Sequence, residues 1–506
     1  MARPAAVRLH ADDDVVIVTS ELDPATDIGS EGVITATVIP SGHKLATRAV
    51  AKGQPVRRYG QIIGFATAPI EPGDHVHTHN LAFSAYDRDH DPGADSHLTL
   101  KVPAEAQATF DGYLRSGGRV GTRNYVGVIT TVNCSATPAS LVTRNFPADE
   151  LAQYENIDGL IALTHGTGCG MAGAGAGMDA LQRTLWGYAT HPNFAGILIM
   201  GLGCEAAQIS FLLEAWGVEP GPHLRTMTIQ DLGGTRPTID EATAIIREML
   251  PTANQATRSP VPASELTLAL QCGGSDAWSG ITANPALGVA VDRLVAHGGT
   301  AILAETPEIY GAEHLLTRRA VSSQVADKLL ARIAWWEDYV ARNHGSMDNN
   351  PSPGNKAGGL TTILEKSLGA VAKGGTTNLV EVLDYAEAAR QKGFVFMDSP
   401  GYDPASVTGQ VASGANVICF TTGRGSCFGF KPVPSLKLAT TSEMFRHMEQ
   451  DMDLDCGGIL DGQPVEAVGQ RIFELVLATA SGRRSKSELL GFGDLEFTPW
   501  QIGAVM

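Results

Sequence analysis

The sequence predicts an α/β protein in which a small N-terminal β-rich domain is followed by two α/β subdomains with mainly parallel sheets. Two patterns predict this architecture. Short β-branched runs separated by glycine, proline and serine fill roughly the first 87 residues, as in a compact β-domain. From about residue 120 onward, strongly apolar runs alternate with helix-like stretches, as in parallel sheets that are buried on both faces. The 506 residues are also too many for one ordinary core.

The β-domain is predicted over residues 1–87. The runs VVIVT at 15–19 and VITATVIP at 33–40 have the composition of strands. A short internal repeat follows, in which 50–56 is echoed by 70–76. Each copy has the composition of a strand end, a glycine-centred turn and a new strand.

A polar linker is expected over 88–110, and the two α/β subdomains are expected after it, over 111–258 and 259–506. A proline-rich break at 251–263 separates the two. The apolar strand candidates of this region lie at 125–132, 159–165, 195–203, 267–274, 300–305, 393–398 and 416–423.

Nearly every one of these strand candidates is followed at once by a polar or glycine-rich motif. The first is Asn133-Cys134-Ser135, and a later one is Cys272-Gly273-Gly274-Ser275-Asp276. Ligands of open parallel sheets bind beyond the carboxyl ends of the strands. The sequence therefore predicts that the chemistry lies along one edge of the α/β region.

Composition and charge exclude several classes of partner. The net charge is −17, and no run of lysine or arginine stands out, so we expect neither a nucleic-acid nor a membrane partner. The N-terminal segment has no apolar core, and no stretch approaches 18 apolar residues. We therefore expect a cytoplasmic protein without a signal peptide or a membrane span.

Four cysteines, Cys134, Cys169, Cys204 and Cys272, occupy equivalent places after strand candidates. Thiolates are soft ligands that suit iron, an iron–sulfur cluster or zinc. The absence of a C-x-x-C pair argues against a structural zinc site. The alternative is that these cysteines are small buried hydrophobic residues.

Histidines are concentrated in the β-domain. On a strand, the alternation of His75, His77 and His79 would place three imidazoles on one face, suited to a metal or a carboxylate. The alternative is a solvated edge strand. His43 and Lys44 follow a glycine and could supply a general base and a cation, or they could form an ordinary surface turn.

Three further motifs have both a functional and a structural interpretation. The glycine cluster at 170–177 lacks the spacing and the acidic residue of a dinucleotide fingerprint, so no NAD is predicted. The segment 350–359, NPSPGNKAGG, is either a substrate lid or a long connection. Arg424 lies between two glycines after a strand, where its guanidinium could bind a carboxylate or serve a structural role.

Together these stretches resemble the altronate/galactarate dehydratase family from about residue 35 to 460. The matching motifs are GHK (42–44), RRYGQIIGFA (57–66), HVHTHN (75–80), GYLRSGGRVGTRNY (112–125), GLGCE (201–205), QCGGSDAWSGITANP (271–285), NPSPGNKAGG (350–359), EKSLGAVAKGG (365–375) and TTGRGSCFGFKP (421–432).

The resemblance implies a SAF-like β-domain fused to a two-part α/β catalytic region. It also implies dehydration of a hexonate or hexarate to a 2-keto-3-deoxy acid with a divalent metal, usually Fe²⁺. HVHTHN and the stretch 305–316 are more similar to the altronate branch, whereas SCFG at 426–429 departs from both branches. Sulfolactate sulfo-lyases share both modules, so sulfite elimination is an alternative, and a non-catalytic sugar-acid-binding protein is another.

We therefore hypothesise a metal-assisted dehydration in which His43 or Lys44 removes the proton on C2. An iron–sulfur cluster is an alternative to a single Fe²⁺, and a homodimer is expected from the prevalence of dimers alone. The predicted substrate-binding residues are Ser275, Asp276, Asn355, Lys356 and Arg424. The predicted metal ligands are His77, His79, Cys134, Cys169 and Cys272.

Overall fold

The computed structural model describes residues 3–506 and begins with a domain of nine short strands. These are β1 (Ala6–Val7), β2 (Val15–Val18), β3 (Asp27–Ile28), β4 (Val33–Ile34), β5 (Lys44–Ala46), β6 (Pro55–Arg58), β7 (Gln61–Ala66), β8 (His75–Val76) and β9 (Leu81–Ala82). They form antiparallel sheets in the orders β1-β2-β5-β8, β3-β4 and β6-β7-β9. The β-rich domain predicted from the β-branched runs is confirmed.

The second domain is built on a four-stranded parallel sheet in the order β13-β12-β14-β15. Its chain enters through β10 (Thr109–Leu114) and β11 (Val120–Gly121), and its elements are β12 (Tyr125–Thr130), α1 (Ala136–Arg144), α2 (Ala148–Leu151), β13 (Gly159–Leu163), α3 (Ala176–Ala189), β14 (Phe194–Gly201), α4 (Ile209–Trp216), β15 (Leu224–Thr228) and α5 (Thr235–Ala253). Strand β16 (Arg258–Pro262) returns to pair with β10 before the third domain begins.

The third domain contains a seven-stranded parallel sheet in the order β19-β20-β18-β17-β21-β22-β23. Its strands are β17 (Thr267–Cys272), β18 (Thr300–Ala304), β19 (Leu379–Leu383), β20 (Phe394–Met397), β21 (Val417–Thr422), β22 (Ser435–Ala439) and β23 (Leu454–Asp455). Its helices are α6 (Ala283–Ala296), α7 (His314–Thr317), α8 (Ser323–Arg342), α9 (Pro353–Ala357), α10 (Ile363–Val371), α11 (Asp403–Ala412), α12 (Ser442–His447), α13 (Val465–Ala480) and α14 (Lys486–Leu489). The two parallel α/β units predicted from the apolar runs are confirmed.

Two strand predictions in the first domain were wrong in extent. The run at 33–40 forms a strand only at Val33–Ile34. The histidine run leaves its strand after Val76, because Asn80 closes a turn: its amide donates to the His75 carbonyl at 3.0 Å and accepts from the His77 N–H at 2.9 Å. The imidazoles therefore do not lie on one face of a strand.

A buried ion network joins the first domain to the third. The carboxylate of Glu365 on α10 accepts from the Lys44 ammonium at 2.9 Å and from the Arg58 guanidinium at 2.6 Å. All three side chains are at most 1% exposed. Lys44 also donates to the Gly359 carbonyl at 2.6 Å, and Thr361 donates to Glu365 from its backbone and its hydroxyl. This network fixes the β-domain against the helix that carries Glu365.

No helix within residues 3–506 is both long enough and apolar enough to cross a membrane.

Replacing Glu365 with glutamine should destabilise the protein strongly, because two buried cations would lose their counter-charge. A loss of about 3 to 5 kcal/mol in the free energy of unfolding is expected from urea titration. The exposed pair Arg236–Asp240 offers a control, and Asp240→Asn should leave the midpoint unchanged.

The same network predicts a pH dependence. Although burial opposes ionisation, Lys44 and Arg58 lower the pKa of Glu365 from 4.5 to about 2. Its stabilisation is therefore complete above pH 4.5 and is lost as the pH falls towards 2. Glu365→Gln should flatten this part of the stability–pH curve, and an unchanged curve would contradict the assignment.

Candidate active site

Four imidazoles form a histidine cluster, defined as His43, His75, His77 and His79, at the border between the first and third domains. His43 Nδ1 lies 3.0 Å from His75 Nε2, and its ring stacks on His77 with centroids 4.9 Å apart. The His79 ring lies 5.4 Å from that of His75. His43 is 7% exposed, whereas His79 is exposed. The histidines predicted as a group are thus brought together by a turn.

Burial keeps the inner imidazoles neutral. It lowers the pKa of His43, and together with the neighbouring imidazoles and Lys44 it lowers the pKa of His75 to about 3. Burial likewise lowers the pKa of His77 to about 4. At neutral pH these rings are neutral imidazoles, so each can accept a proton or bind a metal through a ring nitrogen. His75 and His77 therefore hold no imidazolium proton at neutral pH that they could give to a leaving hydroxyl.

The segment 350–359 lies against this cluster and carries α9. The Ala357 carbonyl lies 3.3 Å from His43 Nε2, and the Lys356 carbonyl lies 2.9 Å from His77 Nε2. Gly359 has a φ of +98°, and a side chain there would collide with the Gly42 carbonyl. This close approach requires a glycine and holds the segment against the first domain.

The other side of the same segment contacts the edge of the seven-stranded sheet. The Asn355 amide donates to the Ser275 carbonyl at 2.8 Å, and the Ala277 N–H donates to the Gly358 carbonyl at 2.9 Å. At its start, Asn350 donates to Glu308 at 2.9 Å. The segment therefore bridges the histidine cluster and the carboxyl ends of the strands.

A buried acid–lysine cluster lies at that edge and is defined as Cys272, Glu305, Glu308, Lys366, Lys373 and Asp403. Cys272 ends β17 and Glu305 follows β18, so their position agrees with the predicted sheet edge. Lys373 donates to the Cys272 sulfur at 2.9 Å, and Lys366 donates to Glu308. Within residues 3–506, Cys272, Glu305 and Glu308 form the one group of three potential ligands whose ligand atoms all lie within 4.8 Å.

Glu305 has two properties that are costly for a structural residue. Its φ of 74° lies in the left-handed region, where a non-glycine residue costs of order 1 to 3 kcal/mol. Neither of its carboxyl oxygens has a hydrogen-bond partner within residues 3–506, although the residue is 1% exposed. Backbone strain and unpartnered buried polar groups are both features that cluster at binding and catalytic sites.

The acidic groups of this cluster have pKa values that are shifted in different directions. Burial and the charges of Glu308 and Asp403 raise the pKa of Glu305 well above its usual value. Burial also opposes ionisation of Glu308, but Lys366 and Lys373 outweigh it and lower its pKa. Burial raises the pKa of the Cys272 thiol to about 11. The pKa values of the two neighbouring glutamates are therefore shifted in opposite directions.

The predicted substrate-binding residues lie in the segment 350–359 and at the sheet edge, and they differ in how many contacts their side chains already make. Asp276 is buried, accepts from Ser279 and Thr440, and has its pKa raised by burial to about 6. Asn355 is committed to Ser275. Lys356 is half-buried and Arg424 is exposed, so these two retain free cationic groups for an anion.

The structure places the five predicted metal ligands in three separate groups. Cys272 lies in the acid–lysine cluster, and His77 and His79 lie in the histidine cluster. Cys134 and Cys169 follow β12 and β13, which belong to the other parallel sheet. Lys44 is also unsuited to act as a base, because it is fully buried and paired with Glu365.

Sequence reasoning did not select Glu305, Glu308, Lys366 or Lys373 as site residues. Lys366 and Lys373 are seven residues apart, a spacing that returns to the same face of a helix. Both lie in a stretch that matched the family. That spacing is the feature of the sequence that could have identified the two lysines. The left-handed backbone conformation of Glu305 is visible only in the structure.

Family models match almost the whole chain. The altronate/galactarate dehydratase SAF domain matches residues 4–84. The second domain of D-galactarate dehydratase/altronate hydrolase matches 112–254, and the C-terminal D-galactarate/altronate dehydratase model matches 263–505. The chain belongs to the galactarate/altronate dehydratase family.

Individual relatives of the chain lead to the same family. Galactarate dehydratase (L-threo-forming) from Escherichia coli is 35% identical over 94% of this chain and 93% of its own length. Altronate dehydratase from the same organism is 32% identical over 97% of this chain and 98% of its own length. These identities do not separate the two branches. The β subunit of (2R)-sulfolactate sulfo-lyase from Chromohalobacter salexigens is 34% identical over 77% of this chain and 97% of its own length.

Replacing Glu305 or Glu308 with glutamine should affect the stability of the protein to very different extents. Glu305→Gln should change the free energy of unfolding by less than about 1 kcal/mol, because the carboxyl has no partner to lose. Glu308→Gln should cost about 3 kcal/mol or more, because it strands the ammonium of Lys366. Urea titration of metal-free protein compares the two, and a larger loss in Glu305→Gln would contradict this description.

Proposed function

We propose that the protein is a hydro-lyase that converts a sugar acid to a 2-keto-3-deoxy acid. The substrate is an altronate-like hexonate or a galactarate-like hexarate. The observation that carries the proposal is the near full-length likeness to dehydratases of both substrate types. The pairing of a neutral histidine cluster with a buried acid–lysine edge supports it.

In this proposal His43 removes the proton on C2 of the substrate. Its lowered pKa keeps the imidazole neutral, and therefore competent as a base, at neutral pH. Lys356 and Arg424 offer cationic groups for the substrate carboxylate. The proton that His43 takes from C2 passes, directly or through water, to the C3 hydroxyl, which leaves as water. The resulting enol tautomerises to the keto acid, and His43 is neutral again.

A divalent cation, which we propose to be Fe²⁺, would be held by Cys272, Glu305 and Glu308. The unpartnered oxygens of Glu305 fit such a role, and a mixed sulfur and oxygen donor set suits a transition metal. The ion would supply Lewis acidity towards the carboxylate and a hydroxyl. Because Lys373 and Lys366 already bond two of the donors, ion binding should be accompanied by proton release.

Anaerobic turnover of hexonates, hexarates and sulfolactate, with and without added Fe²⁺, tests the reaction class. Keto-acid formation from one sugar acid, abolished by a chelator and restored by Fe²⁺, is the expected result. Sulfite release would instead support the second candidate, a sulfo-lyase, which the likeness to the sulfo-lyase β subunit favours. Binding of a sugar acid without any turnover would contradict both.

His43→Ala should reduce kcat by about 10²-fold or more, because general-base catalysis typically contributes that much. The fold should survive, since the loss of this one buried ring removes no member of the Glu365 network. His223→Ala is the matched control, because His223 is exposed in the second domain. Near-normal turnover in His43→Ala would remove His43 from the role of base.

A further inference from the structure

Three exposed cysteines lie together at the carboxyl edge of the four-stranded sheet, away from the acid–lysine cluster. We name Cys134, Cys169 and Cys204 the thiol edge. They follow β12, β13 and β14, and β12 is hydrogen-bonded to both of the other two strands. All three side chains are exposed and none is in a disulfide. Three neighbouring parallel strands are thus each followed by an exposed cysteine at the carboxyl end.

The loops that carry these cysteines are tied to one another. The Asn133 N–H donates to the Thr167 carbonyl at 3.1 Å, which joins the first loop to the second. The Ala207 N–H donates to the Gly168 carbonyl at 3.2 Å, which joins the second loop to the third.

Glu205 closes the triangle of loops. Its carboxylate accepts from the Thr131 hydroxyl at 2.7 Å and from the Gly203 N–H at 2.6 Å, and the residue is only 3% exposed. A buried glutamate next to Cys204 therefore braces the third loop against the first. The three thiols are held on a common frame.

Glycines allow this frame to close. Cys169 lies between Gly168 and Gly170, whose φ values of 98° and 68° are in the left-handed region, and Cys204 follows Gly203 with a φ of 124°. A side chain on Gly168 would collide with the Thr131 carbonyl. The sharp turns leave each cysteine projecting from the edge.

The spacing of the sulfurs argues against a single ion. Two sulfurs on one zinc-like ion lie at most about 4.6 Å apart, since each metal–sulfur bond is about 2.3 Å. Within residues 3–506 the three sulfurs of the thiol edge do not all lie within 4.8 Å of one another. A cluster of several irons joined by sulfide holds its thiolates over a wider triangle. The three cysteines follow three adjacent strands, and adjacent strands lie about 4.8 Å apart. Thiols at these strand ends are therefore spaced on the scale of a polynuclear centre.

We propose that Cys134, Cys169 and Cys204 bind an iron–sulfur cluster of the [4Fe–4S] type through their three thiolates. Binding deprotonates the three thiols. The fourth iron has no cysteine from these loops and is open to an oxygen ligand such as a carboxylate, a hydroxyl or water. Cys272 is not part of this site, because it is buried in the other sheet and bonded by Lys373. The inference does not depend on the proposed reaction.

The test is anaerobic reconstitution of the full chain with iron and sulfide, followed by gel filtration and assay of iron and acid-labile sulfide. We expect about four acid-labile sulfides and about five irons per chain, the fifth iron being the one proposed at Cys272, Glu305 and Glu308. The protein should also show a broad visible absorption that bleaches on reduction with dithionite. Zinc or a single iron without sulfide in the purified, reconstituted protein would overturn the proposal.

Single variants test the ligand set. Cys134→Ser, Cys169→Ser and Cys204→Ser should each lose most of the sulfide and the visible band while retaining the circular dichroism of the parent chain. Cys427→Ser is the matched control, because Cys427 is exposed but lies in the third domain, and it should retain the cluster. Retention of the cluster in any thiol-edge variant, or its loss in Cys427→Ser, would contradict the three-thiolate assignment.

Discussion

The carboxylate of Glu365, buried between Lys44 and Arg58, is the interaction on which the geometry of the candidate site depends. Lys44 is the chain neighbour of His43, and it also bonds the last residue of the segment 350–359. One ion network therefore sets where the histidine cluster lies relative to the seven-stranded sheet. Buried ion pairs are weak sources of net stability, but breaking one partner is costly. The network thus enforces a single relative position of the two domains.

The site joined in this way combines two different electrostatic environments. On the β-domain side, burial and mutual proximity keep imidazoles neutral. At the sheet edge, two buried lysines lower the pKa of Glu308, whereas the pKa of Glu305, which has a strained backbone, is raised. A small cavity at the sheet edge is lined by Cys272, Ser275, Asp276 and Lys366, with Tyr59 of the β-domain in its wall. In the proposed mechanism, His43 supplies the base and the sheet edge supplies the positive charge that stabilises the negative charge developing on the substrate.

The sequence was sufficient for the architecture because apolar runs and β-branched runs report burial directly. It was also sufficient for the sheet edge, since the motifs follow the strands. The failures arose where side chains override local pattern. Asn80 turns the histidine run out of its strand. Lys44 has the sequence context of an exposed, reactive residue, but it is buried and forms an ion pair with Glu365, which lies over three hundred residues later in the chain. The distribution of the cysteines over two sheets likewise depends on strand order, which spacing alone does not specify.

A structure of the full chain with an unreactive sugar-acid analogue would test the central claim most directly. The claim is that one substrate site is shared by the histidine cluster and the acid–lysine edge. It predicts that the bound analogue lies under the segment 350–359, within hydrogen-bonding distance of His43 on one side and of a residue of the acid–lysine cluster on the other. An analogue bound with contacts to only one of the two domains would contradict the account.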